Sequence, residues 1–435
     1  MSGSAEDHAR LARRVSVWTR WATAGLAVAA LALAGCSASS ATPAAQPSAS
    51  PAAVGSIGIQ PSESVPVAVV SDGAPASGSP TLTPVQVSFA QAGNLTVERD
   101  TSTATRLLDG RVLIVGGYTE QPKGTVWNAT AELFDPSTST FAATGSMSVA
   151  RDGNTATLLK DGRVLVAGGT NGTIALASAE IYDPGTDTFI TTTSMSHART
   201  SAVATLLADG RVLIAGGATG SPASASAEIY DPSGGKFTPT GSMSVGRSGP
   251  AATRLTDGRV LIVGGSGDTG LPLASAEIYD PRAGTFSAVG SLTYGRKFFT
   301  ATLLASGKVL VAGGDDSQGP AQSQALVLAS AELFDPVTGE FTQTGSMTTE
   351  RRDHAATLMA DGRVLVTGGN NPNSGPGLRS AEIYSPATGT FSPTSQSMAH
   401  ARYRHTGTLL ADGRVLIVGG FGDSQSGVSA EMCVP

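Results

Sequence analysis

The chain has 435 residues, of which 54 are Gly and only 14% are charged, and its formal net charge is −6. High Gly content with few charges indicates a turn-rich folded protein and excludes a highly charged disordered chain. Nucleic acid is excluded as a partner, because phosphate contacts need clustered Lys and Arg, and no basic run occurs beyond the N-terminus.

The first 35 residues have the pattern of an export signal. Four Arg precede an apolar stretch at 21–34, which is too short to span a bilayer comfortably. The stretch ends in Leu33-Ala34-Gly35-Cys36, which resembles the lipobox of bacterial lipoproteins. In that family the Cys is acylated and becomes the first residue of the mature protein. The resemblance implies a lipoprotein signal peptide over 1–35 and a lipid anchor at Cys36, with an ordinary signal peptide or an uncleaved anchor as alternatives.

An anchor at Cys36 predicts an exported, extracytoplasmic protein that is attached to the bacterial cell membrane. The only other Cys is Cys433. If Cys36 is lipidated, no disulfide can form within the chain, and stability must come from packing. A disulfide between Cys36 and Cys433 is the alternative.

Residues 36–84 are predicted to form a flexible tether. They are dominated by Ala, Ser, Pro and Gly, with almost no charged or aromatic residues, and such a composition cannot bury a core. A flexible coil of this length would span roughly 40 Å, which is enough to hold a domain clear of a lipid surface.

From residue 85 onward the sequence repeats itself seven times. The nonapeptide DGRVLIVGG at 109–117 returns six more times in nearly the same form. In every copy an Arg precedes the first Gly of the Gly pair by 17 residues, whereas the interval between the Gly pair and a following Ala-Glu varies from 9 to 16 residues. Length variation is therefore confined to one loop per repeat, as in a repeat architecture.

Each repeat contains four predicted strands. TATLL and RVLVAGG flank a DG turn and predict a hairpin, AEIYDP predicts a third strand, and TGTF begins a fourth. A single four-stranded sheet cannot cover both of its faces, so it must stack on copies of itself.

The Gly pair, the third-strand aromatic residue and the aromatic residue seven positions later resemble the kelch repeat of bacterial kelch and galactose-oxidase-like propellers. The resemblance covers 85–435, with Phe where the family often has Trp. It implies an all-β fold, a seven-bladed β-propeller of four-stranded antiparallel blades. Because the repeats begin with a lone fourth strand around Phe89 and end after three strands, we expect the N-terminal strand to close the ring within the C-terminal blade.

In this fold all variable loops lie on one face, close to the recurrent Arg. Seven Glu begin the third strands at the same face, so we predict structural Arg–Glu pairs within or between repeats, in preference to a ring that grips an anionic ligand. The predicted ring consists of Arg99, Arg151, Arg199, Arg247, Arg296, Arg351 and Arg402 with Glu132, Glu180, Glu228, Glu277, Glu332, Glu382 and Glu431.

Residues that interrupt the repeat are better candidates for a ligand site. Trp127 is the only Trp of the repeat region and could stack on a sugar or peptide, with packing onto its blade as the alternative. Asp315 and Asp316 begin the longest variable loop, and Asn370 and Asn371 begin the next. Their oxygens could ligate Ca²⁺, but the spacing matches no calcium loop, and solvated loop polarity is favoured.

His400, Tyr403 and His405 precede the seventh inner strand and are further candidates for ligand binding. Galactose oxidase, a copper enzyme with the implied fold, uses two His and two Tyr with a thioether-linked Cys. Here Cys433 occupies a third-strand aromatic position, and no second Tyr completes the set. We therefore expect no metal, no cofactor and no catalytic constellation.

These features favour a monomeric, membrane-anchored binding module whose variable loop face holds a surface glycan or another protein. The alternative class is a carbohydrate-active enzyme on the same propeller, either a sugar oxidase or an epimerase. A spacer without a ligand is the third possibility.

Overall fold

A computed structural model describes residues 84–220, 222–317, 326–372, 375 and 377–435. The predicted signal peptide, Cys36 and all of the tether except residue 84 lie outside these residues. The described part of the chain is all-β and contains no helix, so it offers no helical segment that could cross a bilayer.

The described residues form seven four-stranded sheets, which are the blades of a propeller. The first strand, β1, is Ser88–Asn94. Blade 1 consists of β2 (Thr103–Arg106), β3 (Val112–Val115), β6 (Ala131–Asp135) and β7 (Thr140–Ala143), and its variable loop carries the hairpin β4 (Tyr118–Gln121) and β5 (Gly124–Trp127). Blade 2 consists of β8 (Thr155–Leu158), β9 (Val164–Ala167), β10 (Ala179–Asp183) and β11 (Thr188–Thr191). Blade 3 consists of β12 (Val203–Leu206), β13 (Val212–Ala215), β14 (Ala227–Asp231) and β15 (Lys236–Pro239).

The remaining blades repeat this order. Blade 4 consists of β16 (Ala251–Arg254), β17 (Val260–Val263), β18 (Ala276–Asp280) and β19 (Thr285–Ala288). Blade 5 consists of β20 (Thr300–Leu303), β21 (Val309–Ala312), β22 (Ala331–Asp335) and β23 (Glu340–Gln343). Blade 6 consists of β24 (Ala355–Leu358), β25 (Val364–Thr367), β26 (Ala381–Ser385) and β27 (Thr390–Pro393). Blade 7 consists of β1 together with β29 (Thr406–Leu409), β30 (Val415–Val418) and β32 (Ser429–Val434). The short strands β28 (Arg402–Tyr403) and β31 (Phe421–Gly422) form a separate two-stranded sheet.

The second strand of each blade is buried on both faces. In β3, Val112 and Ile114 pack towards blade 7, whereas Leu113 and Val115 pack towards blade 2. This division explains the continuous apolar run in each repeat, because both faces of the strand lie between sheets. Full burial of one such side chain contributes about 1.5 to 3 kcal/mol.

The ring closes through pairing of the two ends of the described chain. β1 pairs antiparallel with β32, and Phe89 lies opposite Cys433. The backbone N–H of Val85 also donates to the carbonyl of Pro393, at 2.9 Å. The inner strands contact one another in succession from β2 to β29 and back to β2. The predicted seven-bladed fold and its closure by the N-terminal strand are confirmed.

Antiparallel order within each blade separates two kinds of connection. The variable loops and the connections between blades emerge at one end of the strands, which we call the loop face. The DG turns and the turns after the third strands emerge at the other end, which we call the turn face. An exposed pair such as Arg163 with Asp161, at 2.7 Å, is typical of the turn face.

Candidate functional site

Each of the seven recurrent Arg is buried and paired with the Glu of its own blade. In blade 2, Arg151 Nη2 lies 3.0 Å from Glu180 Oε1. Nη1 of the same Arg donates to the carbonyls of Gly168 and Ser178, at 2.9 and 2.8 Å. The second carboxylate oxygen accepts from the backbone N–H of Ser148, at 2.8 Å. The seven pairs have N–O distances of 2.9 to 3.1 Å.

These contacts give the recurrent Arg a structural role. Every guanidinium joins the end of the second strand to the start of the third strand, and its side chain is inaccessible to solvent. Burial lowers the pKa of Arg151, and the hydrogen bond and charge of Glu180 oppose that shift. The buried Arg–Glu pairs therefore offer no accessible group to a ligand.

The two residues that follow each of these Arg surround the channel opening on the loop face, and we call them the mouth ring. Its seven steps are Asp100-Thr101, Asp152-Gly153, Thr200-Ser201, Ser248-Gly249, Lys297-Phe298, Arg352-Asp353 and Tyr403-Arg404. Backbone hydrogen bonds link neighbouring steps: the N–H of Gly249 donates to Ser201, and the N–H of Asp353 donates to Phe298, both at 2.8 Å.

The second residue of every step has a left-handed backbone, with φ between 53° and 63°. Gly adopts this conformation readily, but five of the seven residues are not Gly, and Phe298 is the bulkiest of them. Non-Gly residues in this region carry strain, and such strain concentrates at functional sites. The mouth ring is also where the otherwise similar repeats differ from one another.

Cationic side chains of blades 5 to 7 gather around one aromatic ring of the mouth. Arg404 lies 5.4 Å from the Phe298 ring centroid, and Lys297 and Arg352 lie 5.9 and 6.0 Å from it. Arg404 Nε also lies 2.9 Å from a carboxylate oxygen of Asp353. Although burial opposes it, the charge of Asp353 raises the pKa of Arg404.

Blades 1 and 2 contribute acidic and phenolic groups to the same opening. Asp152 accepts a hydrogen bond from the hydroxyl of Thr101. Burial raises the pKa of Asp152, and the Thr101 hydrogen bond and the charge of Arg404 oppose this shift. Burial also raises the pKa of Tyr118. Acidic, basic and phenolic groups are thus brought together around the mouth ring, with Tyr118 buried and Asp152 and Arg404 half-buried.

Among the mouth-ring residues, only Tyr403 was a candidate ligand-binding residue from the sequence. The other candidates lie in the variable loops or next to Tyr403, and the variation at the two positions after the repeated Arg was not recognised as a signal. Those positions change from Asp-Thr in the first repeat to Tyr-Arg in the seventh, within a frame that hardly changes.

Three of the four candidate residues that begin the fifth and sixth loops are buried, so the interpretation as solvated loop polarity is wrong for them. Asp315, Asp316 and Asn371 are only 1%, 7% and 8% exposed. Asp315 forms an ion pair with Arg352, and this counter-charge from the next blade allows its burial. Asn371 donates to Glu350 at 3.0 Å. The neighbouring Asn370 is half-buried, and residues 318–325 lie outside the described part of the chain.

Trp127 lies on β5 and packs against the loop of the next blade. An added Cβ at Gly172 would lie 2.3 Å from the indole ring, so the backbone of Gly172 is in close contact with the aromatic face. The side chain is half-buried, and it supports the loop that contains Gly172.

The side chains considered for copper ligation do not converge. His400 Nδ1 lies 3.1 Å from Asp423, the Tyr403 ring stacks on Phe421 with centroids 5.2 Å apart, and His405 Nε2 lies 2.8 Å from the Thr367 hydroxyl.

Cys433 is instead buried in the core of blade 7, where burial raises the pKa of its thiol to about 11. Within the described residues, no three or more His, Cys, Asp or Glu side chains are grouped to hold a metal ion. The donors present therefore do not fit the copper site of galactose oxidase.

Comparison with known proteins agrees with this architecture. Three consecutive segments match the Kelch motif family, at residues 154–196, 199–244 and 247–293. No curated protein matches the sequence. Among solved structures, the chain is similar to one described as a novel fungal alcohol oxidase with catalytic diversity among the AA5 family, in complex with copper. That similarity has a TM-score of 0.65 and 18% identity, and it covers 81% of this chain and 77% of the oxidase.

A second similar structure is that of YjhT. Its TM-score is 0.54 at 13% identity, and the alignment covers 69% of this chain and 99% of YjhT. At such identities the two structures show a shared fold alone. The chain is a seven-bladed β-propeller that carries Kelch motifs in three consecutive repeats.

Proposed function

We propose that the protein is a binding module that holds a glycan or another envelope protein at the mouth ring on its loop face. The observation that carries the proposal is the individuality of the mouth ring within a chain of near-identical repeats. Seven equivalent steps hold charged, aromatic, hydroxyl and Gly residues. A scaffold needs no such variety, because the turn face repeats one Asp-Gly-Arg motif in six of its seven turns.

The strain in the ring supports the same proposal. Phe298, Asp353 and Arg404 keep left-handed backbones although each non-Gly residue in that region costs on the order of 1 to 3 kcal/mol. Their side chains contact one another across three blades. Residues held in this way are preorganised, which reduces the entropy lost when a ligand binds.

A binding screen with the full chain tests this function. Purified protein in detergent is applied to a glycan array and to immobilised envelope proteins, alongside two variants that each add one Trp. Ser248→Trp blocks the mouth ring, and Thr186→Trp alters an exposed position on the turn face.

We expect a ligand that the wild type and Thr186→Trp retain and that Ser248→Trp loses by at least about tenfold, which is roughly 1.4 kcal/mol. Equal thermal stability of both variants would show that folding is intact. Equal binding by both variants would place recognition elsewhere, and absence of any ligand would favour the spacer.

We propose further that Cys36 is acylated and that residues 36–84 tether the propeller to the outer side of the cell membrane. Two or more acyl chains anchor a protein stably, at about 0.8 kcal/mol per buried CH₂. Cys36→Ala is expected to move the protein from the membrane fraction to the soluble fraction. A variant that stays on the membrane, together with a wild type that incorporates no labelled fatty acid, would refute the anchor.

A carbohydrate-active enzyme is the second candidate, and the observation that favours it is the fold similarity to the copper-containing alcohol oxidase. The test is to incubate the copper-treated full chain with a panel of sugars and alcohols while measuring peroxide, and to follow sugar epimerisation by NMR. Turnover that depends on intact mouth-ring residues would establish the enzyme, and its absence across the panel would leave the binding module.

A further inference from the structure

A cleft of about 310 Å³ lies on the loop face between blades 2 and 3. Its lining includes Thr170, Thr173, Ile174, Ala198, Thr200 and Thr219. Thr200 belongs to the mouth ring, and the backbone of Thr170 pairs with that of Asp152 at 2.8 and 2.9 Å. The cleft therefore runs outwards from the channel mouth.

The lining of this cleft is rich in hydroxyl groups and has no charged side chain. Thr170 uses its hydroxyl internally, donating to the Ile174 carbonyl at 2.9 Å. Thr173, Thr200 and Thr219 have no side-chain hydrogen-bond partner among the described residues. Their hydroxyls can donate to a ligand and also accept from it.

Apolar groups alternate with these hydroxyls. Ile174 is 60% exposed at the edge of the cleft, and Ala198 lines its wall. A sugar ring presents hydroxyl groups at its edge and C–H groups on its faces, which matches such a lining. An anionic ligand does not match it, because no cation in the lining would offset the cost of removing a carboxylate from water.

The wall that carries Thr173 and Ile174 is preformed. Asn171 Oδ1 accepts hydrogen bonds from the backbone N–H groups of both residues, each at 3.0 Å. The indole of Trp127 packs against Gly172 in the same turn. The size of the cleft is at the lower end of the range of small-molecule sites, about 300 to 1,000 Å³, and suits a short saccharide.

We propose that this cleft is a subsite for a neutral saccharide, with Thr173, Thr200 and Thr219 as the hydrogen-bonding residues and Trp127 as a positioning residue. This inference rests on the proposed binding function and deepens it by naming a ligand class. It also assigns saccharide binding to the junction between blades 2 and 3, one of the seven junctions of the propeller.

The test is a titration of the full chain with glucose, galactose, mannose and cellobiose, and with glucuronate as the anionic counterpart. Ligand-observed NMR reports binding, and a change in Trp fluorescence that is absent in Trp127→Phe reports occupancy of the neighbouring cleft, because the full chain also contains Trp18 and Trp21. Ala198→Phe fills the cleft. The matched control is Ala150→Phe, which places the same bulk at the equivalent half-buried position before Arg151.

We expect at least one neutral sugar to bind the wild type and Ala150→Phe equally, and to bind Ala198→Phe at least about tenfold more weakly. Thr200→Val with Thr219→Val is expected to weaken binding about three- to tenfold, because two ligand hydroxyls lose their partners. Glucuronate is expected to bind more weakly than glucose.

Three results would overturn the subsite. They are no neutral sugar binding, a preference for glucuronate, or binding that Ala198→Phe leaves unchanged. Failure of the subsite can be told apart from failure of the proposed function. A ligand that no longer binds Ser248→Trp but still binds Ala198→Phe would support recognition at the mouth ring and exclude the subsite.

Discussion

Phe89 of the first strand lies directly opposite Cys433 of the last strand. In the other six blades the equivalent pair is aromatic, and the ring centroids lie 4.7 to 4.9 Å apart. Cys433 is a free, fully buried thiol. The ring is therefore closed by strand pairing and packing between the two ends of the described chain.

Removal of β1 should destabilise the whole propeller. A chain that begins at residue 95 keeps the Arg99–Glu132 pair and loses β1, which exposes the edge of β32. The strand carries the partly buried Phe89 and the fully buried Ala92, and loss of a large core side chain can cost up to about 3 to 5 kcal/mol, a large part of the usual stability of a domain. We expect aggregation or a much lower Tm, whereas a chain that begins at residue 80 should melt like the full chain. Equal Tm values would contradict closure by β1.

The periodic parts of the molecule could be predicted from the sequence. Each recurrent Arg lies 17 residues before the Gly pair, and each Glu begins a third strand, so the strand pattern indicated Arg–Glu pairs within or between repeats although the separation of the partners varies from 29 to 36 residues. Contacts between neighbouring blades could not be predicted in this way. Asp315 meets Arg352 across 37 residues, and Trp127 meets Gly172 on the next blade. Such contacts depend on loop conformations that no repeat specifies.

The contacts between side chains of the mouth ring could not be predicted for a related reason. Phe298 and Arg404 belong to blades 5 and 7, and they meet only because the propeller brings all first strands around one channel. Their left-handed backbones are set by the connection between blades and not by residue type, since equivalent positions are Gly in blades 2 and 4.

Breaking one buried Arg–Glu pair should cost far more than breaking an exposed pair. Arg151→Met leaves the carboxylate of Glu180 buried without its partner, and such a loss typically costs about 3 to 5 kcal/mol. Arg163→Met on the turn face removes an exposed partner of Asp161 and should cost less than about 1 kcal/mol. Chemical denaturation measures both free energies of unfolding. Similar values would mean that the buried ring contributes no more than surface pairs.

Two reciprocal substitutions test the strain in the mouth ring. Ser201 is exposed with a φ of 53°, and Gly249 occupies the next equivalent position with a φ of 60° and open space around a Cβ. A left-handed non-Gly residue costs roughly 1 to 2 kcal/mol, partly offset by the greater unfolded-state entropy of Gly. Ser201→Gly should therefore stabilise the protein slightly, and Gly249→Ser should destabilise it by about 1 kcal/mol. If both substitutions shifted the Tm in the same direction, the left-handed positions of the mouth ring would not be strained.

Two buried His should make the protein less stable in mild acid. Burial and the charge of Arg351 lower the pKa of His354 to about 3, and burial with the charge of Arg402 lowers the pKa of His405 well below 6.5. Below pH 6.5 the unfolded chain takes up protons that the folded chain does not bind, so the free energy of unfolding falls as the pH falls.

His354 should account for about 2 kcal/mol of this loss between pH 7 and pH 5, and His405 should add to the loss in the same direction. Denaturation at both pH values should show a smaller loss in His354→Asn and in His405→Asn than in the wild type. His197→Asn, at an exposed position, should keep the wild-type loss. If the two core variants do so as well, the buried His are not the groups that titrate.

Hydrogen exchange with and without the glycan or envelope protein retained in the screen tests recognition at the mouth ring most directly. The mouth-ring amides of Ser201, Gly249 and Arg404 already donate to carbonyls of the preceding step, so a ligand that covers them should slow their exchange further. We expect protection at these segments, and unchanged exchange at the DG turns around Gly162 and Gly413. Protection confined to the DG turns, or no protection at the mouth ring, would contradict the proposed binding site.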